Sequence, residues 1–444
     1  MTPGEWRTVP VRDLCLDIFD GPHATPTKTA SGPIFLGISS LDSGRLDLAE
    51  SARLSEDDFA RWTRRVVPQP DDVVFSYETR LGEAAIIPEG LRCCLGRRMA
   101  LMRPDPSKVD PRFLLYAFLG PEFQETIRER TIHGSTVERI LLTEFADFPM
   151  SVPDLDTQRG IVALLGALDD EIDVNRLANR SLESIARAIF KSWFVDFDPV
   201  RKKMEGAEVG LPPDLAALFP STFAPSAVGP APEGWRISTV RDTAVELETG
   251  SRPAGGVSEV TEGVPSIGAE SIVGIGRFDF AKTKRVPSDF WAGMRRGHVQ
   301  NRDVLVYKDG GRPGMFEPHV TLLGDGFPFD VCCINEHVYR LRVSDDLSQA
   351  YIYFWLSSSL AMSEMRERGT GVAIPSLNST AFGSVPVLVP SRPVVQLFTQ
   401  VVEPLVAKIL RNAGESHALS LTREALLPKL LSGELAPRPT GELP

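Results

Sequence analysis

The chain carries the same plan twice, and that repeat constrains its fold more than any other feature. Residues 145 to 153, FADFPMSVP, align without gaps with residues 382 to 390, FGSVPVLVP, so that Phe145, Pro149 and Pro153 match Phe382, Pro386 and Pro390, each 237 positions apart. The same offset carries Leu168 onto Leu405, Ile172 onto Ile409, Asn175 onto Asn412 and Leu182 onto Leu419. Upstream, IRERTIHGSTV (127 to 137) parallels MRERGTGVAI (365 to 374) with one extra residue, and DDVVFSYETRLGEA (71 to 84) parallels RDVLVYKDGGRPGM (302 to 315). SGRLDL (43 to 48) parallels IGRFDF (275 to 280), and EWRTVPVRD (5 to 13) parallels GWRISTVRD (234 to 242). Self-similarity at a fixed offset means structural units built alike.

Each copy opens with a Trp-Arg strand and passes through short strands such as IIP, CCLGRRMALMRP and DVLVY. Helical insertions follow at PRFLLYAFLGPEFQETIRER and SQAYIYFWLSSSLAMSEMRER. A Pro-rich strand then delivers each copy to one long helix. In the first helix, positions 165, 168, 172, 175, 179, 182, 186, 189 and 193 are Leu, Leu, Ile, Asn, Asn, Leu, Ala, Ile and Trp. In the second, positions 402, 405, 409, 412, 416, 419, 423, 426 and 430 are Val, Leu, Ile, Asn, Ser, Leu, Arg, Leu and Leu. Strict three-and-four spacing is the seam of a coiled coil, and an asparagine in a seam is an attested way to fix register. A pseudo-twofold axis relating the copies runs the helices antiparallel, with Asn175 and Asn412 meeting near the middle.

The expected class is therefore α+β: two similar α/β domains separated by two long antiparallel helices. Residues 1–155 form the first domain and 156–198 the central helix; 199–232 form a Pro/Gly/Ala-rich linker with about one short turn of helix. Residues 233–390 form the second domain, 391–433 the C-terminal helix and 434–444 a tail. Phe190, Phe194, Val195 and Phe197 add an apolar surface beside the seam, more than a two-helix contact buries, and Phe190, Phe194 and Phe197 with the seam residue Trp193 form a partner-binding face. With Leu427, Leu430 and Leu431 it is the expected docking surface for a partner protein.

Composition narrows the function. No apolar run is expected to approach the roughly 20 residues of a membrane span, and the N-terminus has no secretory leader, so a cytoplasmic address is expected. The five cysteines include two adjacent pairs, Cys93-Cys94 and Cys332-Cys333, in strand-like runs, read as buried reduced thiols. Neither CxxC nor HExxH occurs, so no metal site is expected. Asp196 and Asp198 in FVDFDP could be offered as ligands, but a helix stop beside Pro199 explains them. DGGRPG (309 to 314) lacks phosphate-loop spacing and reads as a turn. The net charge of -11 argues against binding nucleic acid through a global positive field.

ARAIFKSWFVDFDPVRKKMEG (186 to 206) and LTREALLPKLLSGEL (421 to 435) resemble the two conserved regions of type I restriction-modification specificity subunits. The openings GEWR and EGW and the segment GVAIPSLNSTAFGSVPVLVP (371 to 390) are similar to that family too. The resemblance covers essentially the whole chain. It implies two target recognition domains, each reading one half of a split double-stranded DNA site, with the helices forming a spacer. Two modification subunits would bring S-adenosylmethionine and methylate adenine, and two restriction subunits could add ATP- and Mg-dependent translocation and cleavage. The specificity subunit would carry no cofactor and no active site. In keeping with this, the sequence has no adenine-methyltransferase tetrapeptide, no GxxxxGK[ST] loop and no paired-carboxylate nuclease signature.

For DNA contact, placement of charge matters more than its total. Matched basic clusters are RWTRR (61 to 65) and MRRGH (294 to 298), Arg80 and Arg312, and the pairs Arg128/Arg130 and Arg366/Arg368. The loops after those pairs are the leading candidates: His133, Ser135 and Thr136 in one copy and Thr370 in the other, where small residues permit close approach and hydroxyls reach phosphate or base edges. Tyr77, Tyr307 and Lys308, with Arg80 and Arg312, end the matched strand-turn units. The rival readings are a coiled-coil scaffold that never touches DNA and a self-contained methyltransferase or nuclease.

Overall fold

The computed structural model describes residues 6–49, 51–133, 137–226, 229–278, 280–371 and 375–437. The chain divides into two compact units, Met1–Glu171 with Leu419–Pro444, and Ile172–Ala418. The division falls inside the two long helices, Leu155–Phe194 and Arg392–Leu431, so each unit owns a stretch of both.

The duplication holds strand for strand in three sheets of each unit. In the first unit a four-stranded antiparallel sheet runs in the order Cys15–Asp20, Met99–Pro104, Val73–Ser76, Ala84–Ile86. In the second the order is Ala244–Thr249, Val338–Val343, Val304–Tyr307, His319–Leu322. Arg7–Pro10 pairs with Pro149–Val152, and Arg236–Thr239 with Pro386–Val389. Each unit also has a three-stranded sheet containing one parallel pair, Thr29–Leu36 with Cys93–Leu95 and Val264–Ile267 with Cys333–Ile334.

Even the backbone strain repeats. Asp71 and Arg302, neither of them glycine, have φ of 70° and 67° just before buried Asp72 and Asp303, whose carboxylates accept the backbone N–H of Gln69 and Gln300. Each helical insertion forms two short helices, Pro111–Leu119 and Pro121–Glu129 in one unit and Gln349–Leu356 and Ser359–Arg368 in the other. They start where a side chain can take up orphan N–H groups, at Asp110 before Pro111 and at Ser348.

Within each unit the long helices run antiparallel, and every seam position is buried or half-buried. In the second unit Asn412 donates to Asn179 Oδ1 at 2.9 Å, Asn179 donates to the Ile409 carbonyl at 3.0 Å, and Asn175 donates to Glu415 at 3.3 Å. Asn412 thus meets Asn179 rather than Asn175, one helical turn from the expected pairing. Spacing fixes which face is buried but leaves the axial offset open. In the first unit Asp169 collects Arg423 at 2.9 Å, Arg45 at 3.0 Å and the Tyr116 hydroxyl at 2.8 Å.

Three expectations need correction. The second long helix holds an 18-residue window of mean hydropathy 1.3, so one helix is long and apolar enough to cross a bilayer by length and composition. Its apolar residues Val394, Val395, Phe398, Val402, Val406 and Ile409 are core of the second unit, each no more than 3% exposed. Residues 199–232 hold more than one turn: helices Asp198–Met204 and Pro213–Ala216 and the strand pair Phe223–Ala224 with Ala231–Pro232. The first long helix ends at Phe194, before FVDFDP is complete, and a new helix starts at Asp198 with Pro199 in its first turn, after Phe197 takes a left-handed conformation (φ 59°).

All five cysteines are buried and unpaired. Burial pushes the thiols of Cys15, Cys93, Cys94 and Cys332 up to about 12 and that of Cys333 to about 11. Only a thiolate attacks an alkylating reagent. Native protein at pH 8 is therefore expected to take up no iodoacetamide until it is unfolded; fast labelling of any one cysteine would contradict this packing.

Candidate nucleic-acid interface

In both units the strand-turn ends and the loops after the Arg pairs come together. In the first unit the Ile140 N–H reaches the Tyr77 carbonyl at 2.9 Å, and Arg139 bridges to both Glu78 and Ile132. In the second the Leu377 N–H reaches the Lys308 carbonyl at 2.7 Å, and Ser376 bridges to both Asp309 and Thr370. A fourth segment joins each cluster: the Tyr77 N–H bonds the Arg98 carbonyl, and the Lys308 N–H bonds the His337 carbonyl. Four separate stretches of chain thus meet at equivalent places, hydrogen bond for hydrogen bond.

The candidate side chains fare differently. Arg80 pairs with Glu83 at 3.0 Å, and Arg128 donates through Nε to Glu125 at 3.0 Å. Arg130 lies over the Phe148 ring, and His133 meets Glu138 at 3.0 Å. Arg366 pairs with Glu317 at 2.5 Å, Arg368 with Glu364, and Lys308 lies 3.7 Å from Asp309. Exposed ion pairs contribute about 0–1 kcal/mol, so a phosphate can take such a guanidinium from its carboxylate. Arg312 is exposed in the hairpin Gly311–Arg312 with Met315–Phe316 and has no ion pair with a described residue. Thr370 is exposed, in a sequence-equivalent position to Ile132. Ser135 and Thr136 lie outside the described residues.

Two expectations fail on burial. Tyr77 is 5% exposed and its hydroxyl is enclosed, so it supports the cluster through its backbone rather than touching a ligand; burial pushes its phenol up to about 12. Tyr307 is half-buried against the core cluster that contains Ile267, Leu305 and Val338. The aromatic set is core as well. Phe190, Trp193 and Phe194 are 3%, 7% and 0% exposed, and Phe197 packs on Phe223 and Trp235. Phe194 stacks edge-on against Tyr351 at 5.0 Å and Phe398 at 5.2 Å. Leu430 is buried, and Leu427 and Leu431 are half-buried, in the first unit's core. The surface expected to await a partner is covered by this chain's own helices and strands.

Arg97 and Arg139 escape a reading based on recurrence. Both are exposed members of the first cluster without an ion pair to a described residue. Their equivalents in the second unit are Glu336 and Ser376, so repetition gives no signal for them. Arg64, Arg295 and Arg296 are likewise exposed and without an ion pair among the described residues, whereas Arg65 is engaged by Asp20. Among the described residues no group of three His, Cys, Asp or Glu is placed to hold a metal ion.

Comparison with known proteins agrees with this architecture. Residues 41–184 match the type I restriction modification DNA specificity domain. The HindI type I restriction enzyme specificity subunit of Haemophilus influenzae is 23% identical over 76% of this chain and 80% of its own length. The MjaIX specificity subunit of Methanocaldococcus jannaschii is 23% identical over 73% of this chain and 68% of its own. The crystal structure of the type I restriction-modification S subunit from M. genitalium shares the fold, with TM-score 0.52 at 15% identity over 97% of this chain and 99% of that one. The chain thus carries a type I restriction modification DNA specificity domain over residues 41–184, and it is similar in sequence to specificity subunits of type I restriction enzymes and in fold to a solved type I S subunit.

Proposed function

We propose that the two units read the two halves of a bipartite double-stranded DNA site, and that two modification subunits then methylate adenine within it. The carrying observation is the four-segment cluster that recurs bond for bond in both units. Duplicated readers on one chain suit a divided target, and the paired helices suit a spacer. Arg97, Arg139 and Arg80 would serve the first half-site; Arg312, Lys308, Arg366, Thr370 and the Arg295/Arg296 pair would serve the second. S-adenosylmethionine, and ATP with Mg where restriction subunits join, belong to the partners, and the assembly acts in the cytoplasm.

With net charge -11 the isolated chain is expected to bind DNA weakly, the modification subunits closing around the duplex and adding positive charge. Arg312→Ala in the reconstituted complex should weaken binding to its methylation site and lower the slope of log K against log salt by about 0.9, the value for one lost phosphate contact. An unchanged slope and affinity would remove Arg312 from the interface.

The partner surface moves from the buried aromatics to the stripe Val174, Leu177 and Ile185 on the first long helix, 59%, 65% and 50% exposed. A partner helix can lay its own apolar face on residues at such spacing. Leu177→Asp should abolish co-purification with a modification subunit while leaving the melting temperature unchanged. Undiminished co-purification would place that contact elsewhere. The scaffold reading makes the opposite prediction for DNA: no shift of a random oligonucleotide pool by chain and modification subunit together.

A further inference from the structure

The two units differ sharply at one equivalent site. Strand pairing sets the correspondence: Phe35 sits opposite Cys94 and Ala52, and Ser266 sits opposite Cys333 and Lys284. The turn that follows begins with Gly96 in one unit and Asn335 in the other, whose N–H groups bond Leu36 and Ile267 carbonyls. In the first unit a Cβ on Gly96 would stand 2.3 Å from the Leu36 carbonyl oxygen and 3.1 Å from Cζ of the Phe35 ring, so backbone and ring together leave no room for a side chain there. In the second, Ser266, Lys284 and Asn335 replace Phe35, Ala52 and Gly96, and a cavity of about 430 Å³ opens between them and the loop bearing Arg252.

The cavity is polar and has spare hydrogen-bonding capacity. Lys284 is exposed and has no acidic partner among the described residues. Glu270 accepts the Gly268 N–H with Oε1 only, leaving Oε2. Asn335 accepts the His337 N–H through its oxygen, leaving its amide NH₂. Glu336 is held by Arg252 at 3.3 Å. The wall is continuous with the candidate interface, because His337 binds Asp309 through Nδ1 at 2.6 Å and the Lys308 N–H through its carbonyl.

We propose that the second unit holds one unstacked nucleotide of its half-site in this cavity, a capacity that Phe35 denies the first unit. The inference rests on the bipartite reading above. Ligand pockets begin near 300 Å³, and an extruded base is read by hydrogen bonds to its edge while cations take its phosphate. Lys284 and Arg252 face the phosphate. The Glu270 and Glu336 carboxylates accept from an exocyclic amine and Asn335 donates to a ring acceptor, which selects adenine or cytosine over thymine.

The test titrates the purified full-length chain with 5′-dAMP, dCMP and dTMP by calorimetry. dAMP or dCMP should bind, with dTMP at least about tenfold weaker because it has no exocyclic amine to give the carboxylates. Lys284→Ala, an exposed change that cannot unfold the protein, should weaken binding by about tenfold. The double variant Ser266→Phe with Asn335→Gly copies the first unit and should abolish binding. In cells it should alter only one half of the methylated motif. No mononucleotide binding, equal binding of all three, or binding and motif unaffected by both variants would overturn the proposal. A wild-type chain that directs no bipartite methylation would instead sink the reading on which it rests.

Discussion

Replacing Asp303 with alanine is expected to destabilise the second unit by about 3–5 kcal/mol, the cost of leaving buried charge without its partner. Asp303 is fully buried and lies 3.2 Å from Arg340, itself 3% exposed, and 2.6 Å from Arg342. Its carboxylate also accepts the Gln300 N–H at 2.7 Å, so the change leaves that donor and the Arg342 guanidinium without their buried carboxylate, while Arg340 keeps only Glu246 and Glu248. The first unit supplies the control. There Asp72 keeps the same backbone bond and pairs with Arg103, but Leu101 and Phe19 occupy the places of Arg340 and Glu248. Substituting Arg340→Leu together with Glu248→Phe should therefore cost far less than Asp303→Ala, because apolar replacement of a whole buried pair is often neutral. Thermal melting of the three proteins decides it. Asp303→Ala melting like wild type would show that the buried network contributes nothing.

Phe194→Ala is expected to cost about 3–5 kcal/mol by opening a cavity in the second unit's core. The ring has no exposure and packs on Tyr351, Phe398, Phe190 and Trp235. The experiment separates two roles for the aromatic end of the first long helix. A core residue lowers the melting temperature whether or not a partner is present, by roughly 10 °C at this size. A docking residue would leave the free chain's melting unchanged and lose only the partner.

The repeat was readable because burial writes the same apolar and turn pattern into both copies, from the Trp-Arg strand to the FADFP and FGSVP segments. The long helices were readable for the same reason, since three-and-four spacing marks one face. The axial register was not: Asn412 finds Asn179, and nothing in the spacing of Asn175 and Asn412 distinguishes that from a pairing one turn away. Apolarity also does not say what will cover it, so Phe190, Trp193 and Phe194 looked like a waiting surface until the residues around Tyr351 and Phe398 closed over them. At the clusters proposed to contact DNA, recurrence finds the backbone scaffold shared by both units and gives no signal for Arg97 and Arg139. Residues that give each half-site its own identity are the ones a repeat does not preserve, and the Phe35 to Ser266 exchange is invisible without strand pairing to align it.

Sequencing the adenine methylome of cells expressing this chain with its modification subunits tests the central claim most directly. Two short specific blocks separated by a fixed run of unspecified bases are expected, each with a methylated adenine, and Arg312→Ala should relax only one block. A single continuous motif, or a variant in one unit that changes both blocks together, would contradict a protein that reads a divided site with two separate hands.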